Sequence, residues 1–386
     1  MMAFRWIAGA ALAFVWIWRL CEAAIGIRRV PELTDPQWNA PLNQTPRVSI
    51  IVPARNEDAA LEPAMRSLLA LDYPDYEVIA VNDRSTDSTG EIMDRLRPES
   101  GAKLRIIHVD DLPGGWLGKP HAMWRGAQQA SGEWLLFTDA DVLFRSDALR
   151  RAVACAESLP TDHFVLFPTM VMKSAGERMM IAFFQCFFLF GYRAWKIPDP
   201  RSRDHLGVGA FNMLRRSAYE TIGTFEALRM EVVEDMKVGK LVKEHRLTQR
   251  AAFGRDLLRI HWASGALGIV RNLSKNFFAF MKFEWWRALG ACGGLSLLTL
   301  GPFVGLAFAP GWSKLSYSIA TLAIFLTYVG MSRKCDIPAY FFVLHPIGGV
   351  LFVYTILRSM VITLWNGGVT WRGTRYPLEE LRKGLV

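Results

Sequence analysis

Trp134-Leu135-Leu136-Phe137-Thr138-Asp139-Ala140-Asp141 is the stretch that decides the fold. Four large apolar residues in a row fit a short strand buried on both faces. Two carboxylates with one residue between them then follow where that strand would end. In an open α/β sheet, ligands gather at the carboxyl ends of the strands. A D-x-D triplet alone is more often a solvated loop, so its weight comes from the residues around it.

Working outward, the same pattern repeats. Val48 to Val52, Glu77 to Val81 and Leu104 to His108 read as strands, and Glu133 to Phe137 is the fourth. Between them, Glu57 to Leu71, Ser85 to Leu96 and Pro120 to Ala130 have helical periodicity. Ser85-Thr86-Asp87-Ser88 offers caps for the second of these helices. Residues 147–158 read as a further helix and 163–168 as a further strand. Strands alternating with helices imply a parallel sheet with right-handed crossovers. Pro31 to Pro46 reads as a linker ahead of it.

Each strand end carries polar residues. Pro53-Ala54-Arg55-Asn56-Glu57 follows the first and Asp83-Arg84 the second. Gly114-Gly115-Trp116-Leu117-Gly118-Lys119 follows the third. A nucleoside diphosphate fits that set. Asp139 and Asp141 would hold Mg²⁺ or Mn²⁺, hard cations that bind phosphates through few protein carboxylates. Asp83 either accepts from a base or ribose or caps the next helix. Lys119 either adds positive charge beside the diphosphate or is a solvated loop lysine. Gly114 and Gly115 either admit a ligand or only turn the chain. Gly207 to Asn212 reads as a loop where backbone, at Gly209, approaches a ligand. Glu234 and Asp235 open a helix, where acids complement the dipole or, alternatively, supply a general base.

The apolar residues are unevenly spread. Residues 288–309 and 315–331 hold no charge, and 338–357 no Asp, Glu, Lys or Arg. About 20 apolar residues span a bilayer core, so this region reads as transmembrane. Trp6 to Ile27 reads as an uncleaved anchor in which Arg19 and Glu22 pair one turn apart, with a signal peptide as the alternative. Arg28 and Arg29 then place the following segment in the cytoplasm. Met179 to Tyr192 is too short to span and reads as an interfacial helix, with a core helix as the alternative. Asn276 to Trp286 is a second interfacial candidate. The net charge is +9, from 45 Lys and Arg against 36 Asp and Glu. It fits a membrane surface with anionic lipid. No basic-aromatic module that reads bases is present, so no nucleic-acid partner is expected. Five scattered cysteines show no metal or redox spacing and fit a reducing compartment.

Taken in order, these residues resemble the family 2 glycosyltransferases, which have the GT-A nucleotide-sugar fold. The resemblance rests on Val48 to Glu57, Val81 to Asp87, Lys119, Thr138 to Asp141 and Glu234-Asp235. It implies an α/β, Rossmann-like GT-A domain over 46–255. Flanking it would be an anchor at 1–30, interfacial helices at 256–287, membrane helices at 288–366 and a tail at 367–386. It implies that Pro53, Arg55, Glu57 and Asp83 line a nucleoside pocket. Asp139 would lie near ribose or diphosphate, Asp141 would ligate the metal, and Asp235 would be the base. Transfer would invert the anomeric carbon by direct displacement from a nucleotide-sugar donor.

The flanking membrane segments resemble the branch that contains ceramide glucosyltransferases and hopanoid- or carotenoid-associated enzymes, as does the tail Trp365 to Tyr376. This implies a lipid acceptor at the cytoplasmic membrane. A polysaccharide synthase or a polyprenyl-phosphate sugar transferase is the alternative enzyme, which product size and acid lability would distinguish. A scaffold that binds nucleotide without turnover is the non-enzymatic one. That branch usually carries a Q/R-x-x-R-W motif after the acid pair. Here Arg259-Ile260-His261-Trp262 and Arg271-x-x-x-Lys275-Asn276 stand instead, leaving Arg259, Arg271 or Lys275 as candidate cations for the diphosphate.

Overall fold

Two compact units are woven from alternating stretches of chain. Val30–Val171, Ala194–His261 and Thr370–Val386 form an α/β unit; Met1–Arg29, Met172–Arg193 and Trp262–Val369 form a helical one. The computed structural model describes residues 2–39 and 45–386.

In the α/β unit, β1 (Val48–Ala54), β2 (Tyr76–Asp83), β3 (Leu104–Val109) and β4 (Trp134–Phe137) run parallel. Val48 stands opposite Tyr76 on one side and Trp134 on the other. Side chains alternate across a strand, so Ile50 and Val52 enter one core while Ile51 enters another. Helices α2 (Asp58–Leu69), α3 (Thr89–Ser100), α4 (Gly118–Gln129) and α5 (Ala148–Glu157) connect the strands. In α2, Leu61, Ala64, Met65 and Leu68 are buried, the one-face stripe of an amphipathic helix. Full burial of each of the Leu and Met side chains is worth about 1.5–3 kcal/mol.

The expected sheet is parallel throughout; the observed one is mixed. Its order is β3-β2-β1-β4-β8-β6-β9, with β6 (His163–Phe167), β8 (Asn212–Arg215) and β9 (Gln249–Phe253). Strand β8 runs antiparallel to both β4 and β6. A small second sheet joins β5 (Leu143–Phe144), β7 (Thr169–Met170) and β10 (Leu258–Ile260). Helices α7 (Arg216–Thr221) and α8 (Glu234–Glu244) follow β8. The hairpin of β11 (Gly368–Trp371) and β12 (Thr374–Pro377) leads to α14 (Leu378–Lys383).

The expected linker is also corrected in part. Leu33 is fully buried, and its amide donates to the Phe253 carbonyl at 2.7 Å. Residues 40–44 of that stretch lie outside the described residues. Helix α3 starts at Thr89 rather than Ser85. Its start is held by Asp87, whose Oδ1 accepts from the Thr89 amide at 3.0 Å.

The helical unit contains α1 (Met2–Gly26), α6 (Ala175–Gly191), α9 (Gly265–Ser274), α10 (Phe277–Phe280), α11 (Trp285–Phe308), α12 (Ser313–Cys335) and α13 (His345–Trp365). Four segments are long and apolar enough to cross a membrane: Trp6–Arg29, Trp285–Phe308, Ser313–Lys334 and Ala339–Trp365. Arg19 pairs with Glu22 one turn on, as expected. Its guanidinium also donates to the carbonyls of Leu189 and Phe190, which the end of α6 leaves without helical partners. Helix α6 buries Met180, Ile181, Ala182, Phe183 and Cys186. It is thus a packed helix of this unit, the alternative to the interfacial reading.

Candidate active site

Three loops of the α/β unit converge where the strand order turns antiparallel. The end of β4 supplies Asp139, the loop before β8 supplies Gly209, and the first turn of α8 supplies Glu234 and Asp235. The Asp139 amide donates to the Gly209 carbonyl at 3.0 Å. The Gly209 amide donates to Asp235 Oδ2 at 3.0 Å, and Asp235 Oδ1 accepts from the Met236 amide at 2.7 Å. A Cβ on Gly209 would stand 2.6 Å from Asp139 Oδ2, so no side chain fits there without displacing the carboxylate. Lys119, in the first turn of α4, closes the set. Its Nζ lies 2.6 Å from Asp139 Oδ1 and 2.7 Å from Glu234 Oε1. Lys119, Thr138, Asp139, Gly209, Glu234 and Asp235 line one cleft, together with Asn212 and the apolar Met123, Phe137 and Phe225.

The charges in this cleft are crowded. Burial alone would lower the Lys119 pKa, but Asp139, Glu234 and Asp235 outweigh it and hold the ammonium well above its usual value. Lys119 is therefore a permanent cation, not a solvated loop residue. Burial, then the neighbouring Glu234, pushes the Asp235 carboxyl up to about 7. Asp141 is also pushed up to about 7, first by burial and then by Asp139 and Glu57. Burial raises Glu57 as well, against the opposing charge of Arg372. Carboxylates raised in this way are short of positive charge.

That shortage fits a divalent cation. Among the described residues, no three His, Cys, Asp or Glu side chains form a metal cage. Asp139 and Asp141 offer oxygen donors only. Such a set suits Mg²⁺ or Mn²⁺, which take one or two carboxylates and complete their shell with water and phosphate oxygens.

The residues expected to line a nucleoside pocket gather at the ends of β1 and β2. Arg84 grips Asp83 with Nε to Oδ1 at 2.8 Å and Nη2 to Oδ2 at 3.1 Å. Asp83 therefore does not cap α3. Arg55 Nη1 is 3.9 Å from Asp83 Oδ2, and its buried Nε has no hydrogen-bond partner. The two turns are stitched together: the Asn56 amide donates to Ser85 Oγ at 3.1 Å, and the Thr86 amide to Asn56 Oδ1 at 2.8 Å. Pro53 sits within β1 opposite Val81. Gly115 takes a positive φ of 76° in an open turn.

Two sets of site residues escaped the sequence reading. One is a buried network behind the cleft. His163 on β6 hydrogen-bonds Asn212 Oδ1 through Nε2 and Gln249 Nε2 through Nδ1. Gln249 in turn clasps both the amide and the carbonyl of Leu206, at 2.9 and 2.7 Å. This fixes the loop that presents Gly209. The other is Arg372, at the tip of the C-terminal hairpin. It donates to the carbonyls of Arg55 and Asn56 and to the Glu57 carboxylate. The run Trp371-Arg372-Gly373-Thr374-Arg375-Tyr376, aromatic and basic around a glycine turn, was the available signal. Of the basic residues expected at the diphosphate, Arg259 is exposed on β10 beside Asp256, at 3.5 Å. Arg271 and Lys275 belong to the helical unit.

Residues 49–223 match the model of the family described as Glycosyl transferase family 2. By that match and the relatives named next, the chain is a glycosyltransferase. Among curated proteins it is similar to 4,4'-diaponeurosporenoate glycosyltransferase of Staphylococcus aureus (strain USA300). The two are 23% identical over 354 residues, which covers 86% of this chain and 89% of the relative. Among solved structures it is similar to the mannosyltransferase PcManGT from Pyrobaculum calidifontis, solved in complex with GDP-Man and Mn²⁺. The TM-score is 0.55 at 17% identity, over 95% of this chain and 99% of the other. The fold is thus the GT-A fold, with an N-terminal helix and C-terminal apolar helices, and the relative falls in the carotenoid branch that the sequence resembles.

Proposed function

We propose that this chain is a membrane-bound, inverting glycosyltransferase that moves one sugar from a nucleotide-diphosphate sugar to a hydroxyl of a lipid acceptor at the cytoplasmic face. One observation carries the reading. Asp235, with its carboxyl raised to about 7, shares a cleft with the Asp139–Lys119 pair. A general base works best when its pKa lies near the working pH. The acceptor oxygen would attack the anomeric carbon as Asp235 takes its proton. The bond from that carbon to the diphosphate would break, and the diphosphate would leave with the electron pair. Lys119 would meet the charge that develops there. Mg²⁺ or Mn²⁺ on Asp139 and Asp141, when bound, would add Lewis-acid stabilisation of the same leaving group. Pro53, Arg55, Glu57 and Asp83 would hold the nucleoside.

A second reading changes the acceptor. The relative's name describes a carboxylate, the 4,4'-diaponeurosporenoate. A carboxylate is already ionised at neutral pH, so transfer to it needs no base. Nucleoside-diphosphate release separates the two. The detergent-purified chain would be given UDP- and GDP-sugars, Mn²⁺ or Mg²⁺, and fatty-alcohol or fatty-acid acceptors. The hydroxyl reading expects the alcohol to stimulate release and Asp235→Asn to reduce it by about 10²–10⁴-fold. Full activity of that variant would remove Asp235 as base. Release from no donor would overturn the transferase reading.

The weave of the chain bears on its orientation in the bilayer. His261 and Thr370 belong to the same compact α/β unit, and such a unit lies on one side of a membrane. An even number of crossings must therefore separate them, although α11, α12 and α13 are all candidates. We propose that α13 stays re-entrant, since it buries His345, Thr355, Ser359 and Thr363. A tag after Val386 would then share a compartment with residues 46–171.

A further inference from the structure

The C-terminal hairpin touches three of the turns that carry the candidate donor site. Arg372 Nη1 donates to the carbonyls of Arg55 and Asn56, at 2.8 and 3.1 Å, and Nη2 pairs with the Glu57 carboxylate. Tyr376, on β12, accepts from the Gly118 amide at 3.1 Å, next to Lys119, and its phenol lies within reach of the Arg84 guanidinium. The chain beyond is anchored at the opposite end of the site. Leu381 is fully buried. The Val386 amide donates to Glu231, and Lys237 donates to the Val386 carbonyl, on either side of Glu234 and Asp235.

We propose that residues 370–386 are part of the donor site, with Arg372 and Tyr376 as its positioning residues. The inference rests on the nucleotide-sugar reading above. Arg372 holds two backbone carbonyls through one nitrogen and a carboxylate through another, fixed directions that a planar guanidinium supplies and a compact ammonium does not. Its side chain is 42% exposed, and an exposed ion pair adds little to stability. The contacts instead fix the direction of the β1–α2 turn and of Glu57, a carboxylate whose charge is felt by Asp141. Asn56 and Arg372 both adopt left-handed backbone, at φ 55° and 49°, which non-glycine residues avoid unless neighbouring contacts hold them there. The amide that Tyr376 engages opens α4 and so orients the first turn that carries Lys119. A donor would therefore meet turns already set by the hairpin.

The test uses the full-length, detergent-purified chain. UDP and GDP affinity would be measured with Mn²⁺, together with donor KM, kcat and the thermal midpoint without nucleotide. Arg372→Ala is expected to weaken nucleotide binding and raise donor KM by about tenfold, with kcat and the thermal midpoint nearly unchanged. Arg372→Lys should recover only part of the loss. Tyr376→Phe keeps the packing and should shift KM in the same direction by about threefold. Unchanged affinity and KM in both variants would overturn the inference while leaving the transferase reading intact. A fall in kcat alone would overturn it too. A wild-type chain that binds neither nucleotide would overturn both.

Discussion

Glu177 and Asp141 are carboxylates, the first buried in the helical unit and the second half-buried in the α/β unit, and they are supported in opposite ways. Glu177, in the first turn of α6, accepts from the amides of Lys173 and Gly265 at 2.6 and 2.8 Å. Its neighbours were placed to satisfy it. Asp141 faces Asp139 and Glu57, two further acids, and its carboxyl rises to about 7. The hydroxyls of the helical unit follow Glu177. Thr299, Thr321, Thr327 and Thr355 each donate to the carbonyl four residues back, the economical arrangement where water is scarce. A closed polar group stabilises its own fold, whereas a crowded one waits for a ligand.

The largest test of that contrast is Asp141→Asn. Removing this proposed metal ligand should lower kcat/KM by at least about 10³-fold. The thermal midpoint without metal should hold or rise, because like-charge repulsion is relieved. A variant that lost stability and kept activity would place Asp141 with Glu177.

The next test concerns a closed network within the α/β unit itself. Burial depresses His163 to about 4, against the opposing Asn212 hydrogen bond. An unfolded histidine takes its proton near 6.5. Between those values the unfolded chain binds more protons than the folded one, so stability falls as pH drops from about 6.5 to about 4. The full contribution, about 3 kcal/mol, is present above that window. Denaturant midpoints of wild type and His163→Gln measured across pH 4–7 would show it. Parallel slopes for the two proteins would mean that His163 does not titrate on unfolding.

The smallest expected effect is that of Glu177→Gln. It should cost about 2 kcal/mol in the helical unit by weakening charge-assisted hydrogen bonds. Nucleotide affinity should not change. A loss of affinity would break the contrast from the other side.

The parts of the site legible in the sequence were those that lie at the ends of strands with a clear hydrophobic pattern. Asp83, Asp139 and Asp141 each follow an apolar run, and Glu234-Asp235 opens a helix. Strand β8 was not legible as an antiparallel insert. It is only Asn212–Arg215, and its direction depends on pairing with β4 and β6 rather than on its own residues. The His163–Gln249 network was hidden because a buried histidine and a surface one look alike in one dimension. Arg372 was hidden by separation, since it stands 317 positions along the chain from Arg55. No periodicity links two positions so far apart.

The interleaving of the two units has a consequence for how the protein is made. When a ribosome has finished residues 49–223, the whole family-matched segment exists, yet Asp235, Arg372 and Tyr376 do not. By the time Thr370–Val386 emerge, every helix of 262–369 has already been synthesised. On the donor-site proposal above, a nascent chain would have made the apolar helices of 262–369 before Arg372 and Tyr376 could set the turns that meet a sugar donor.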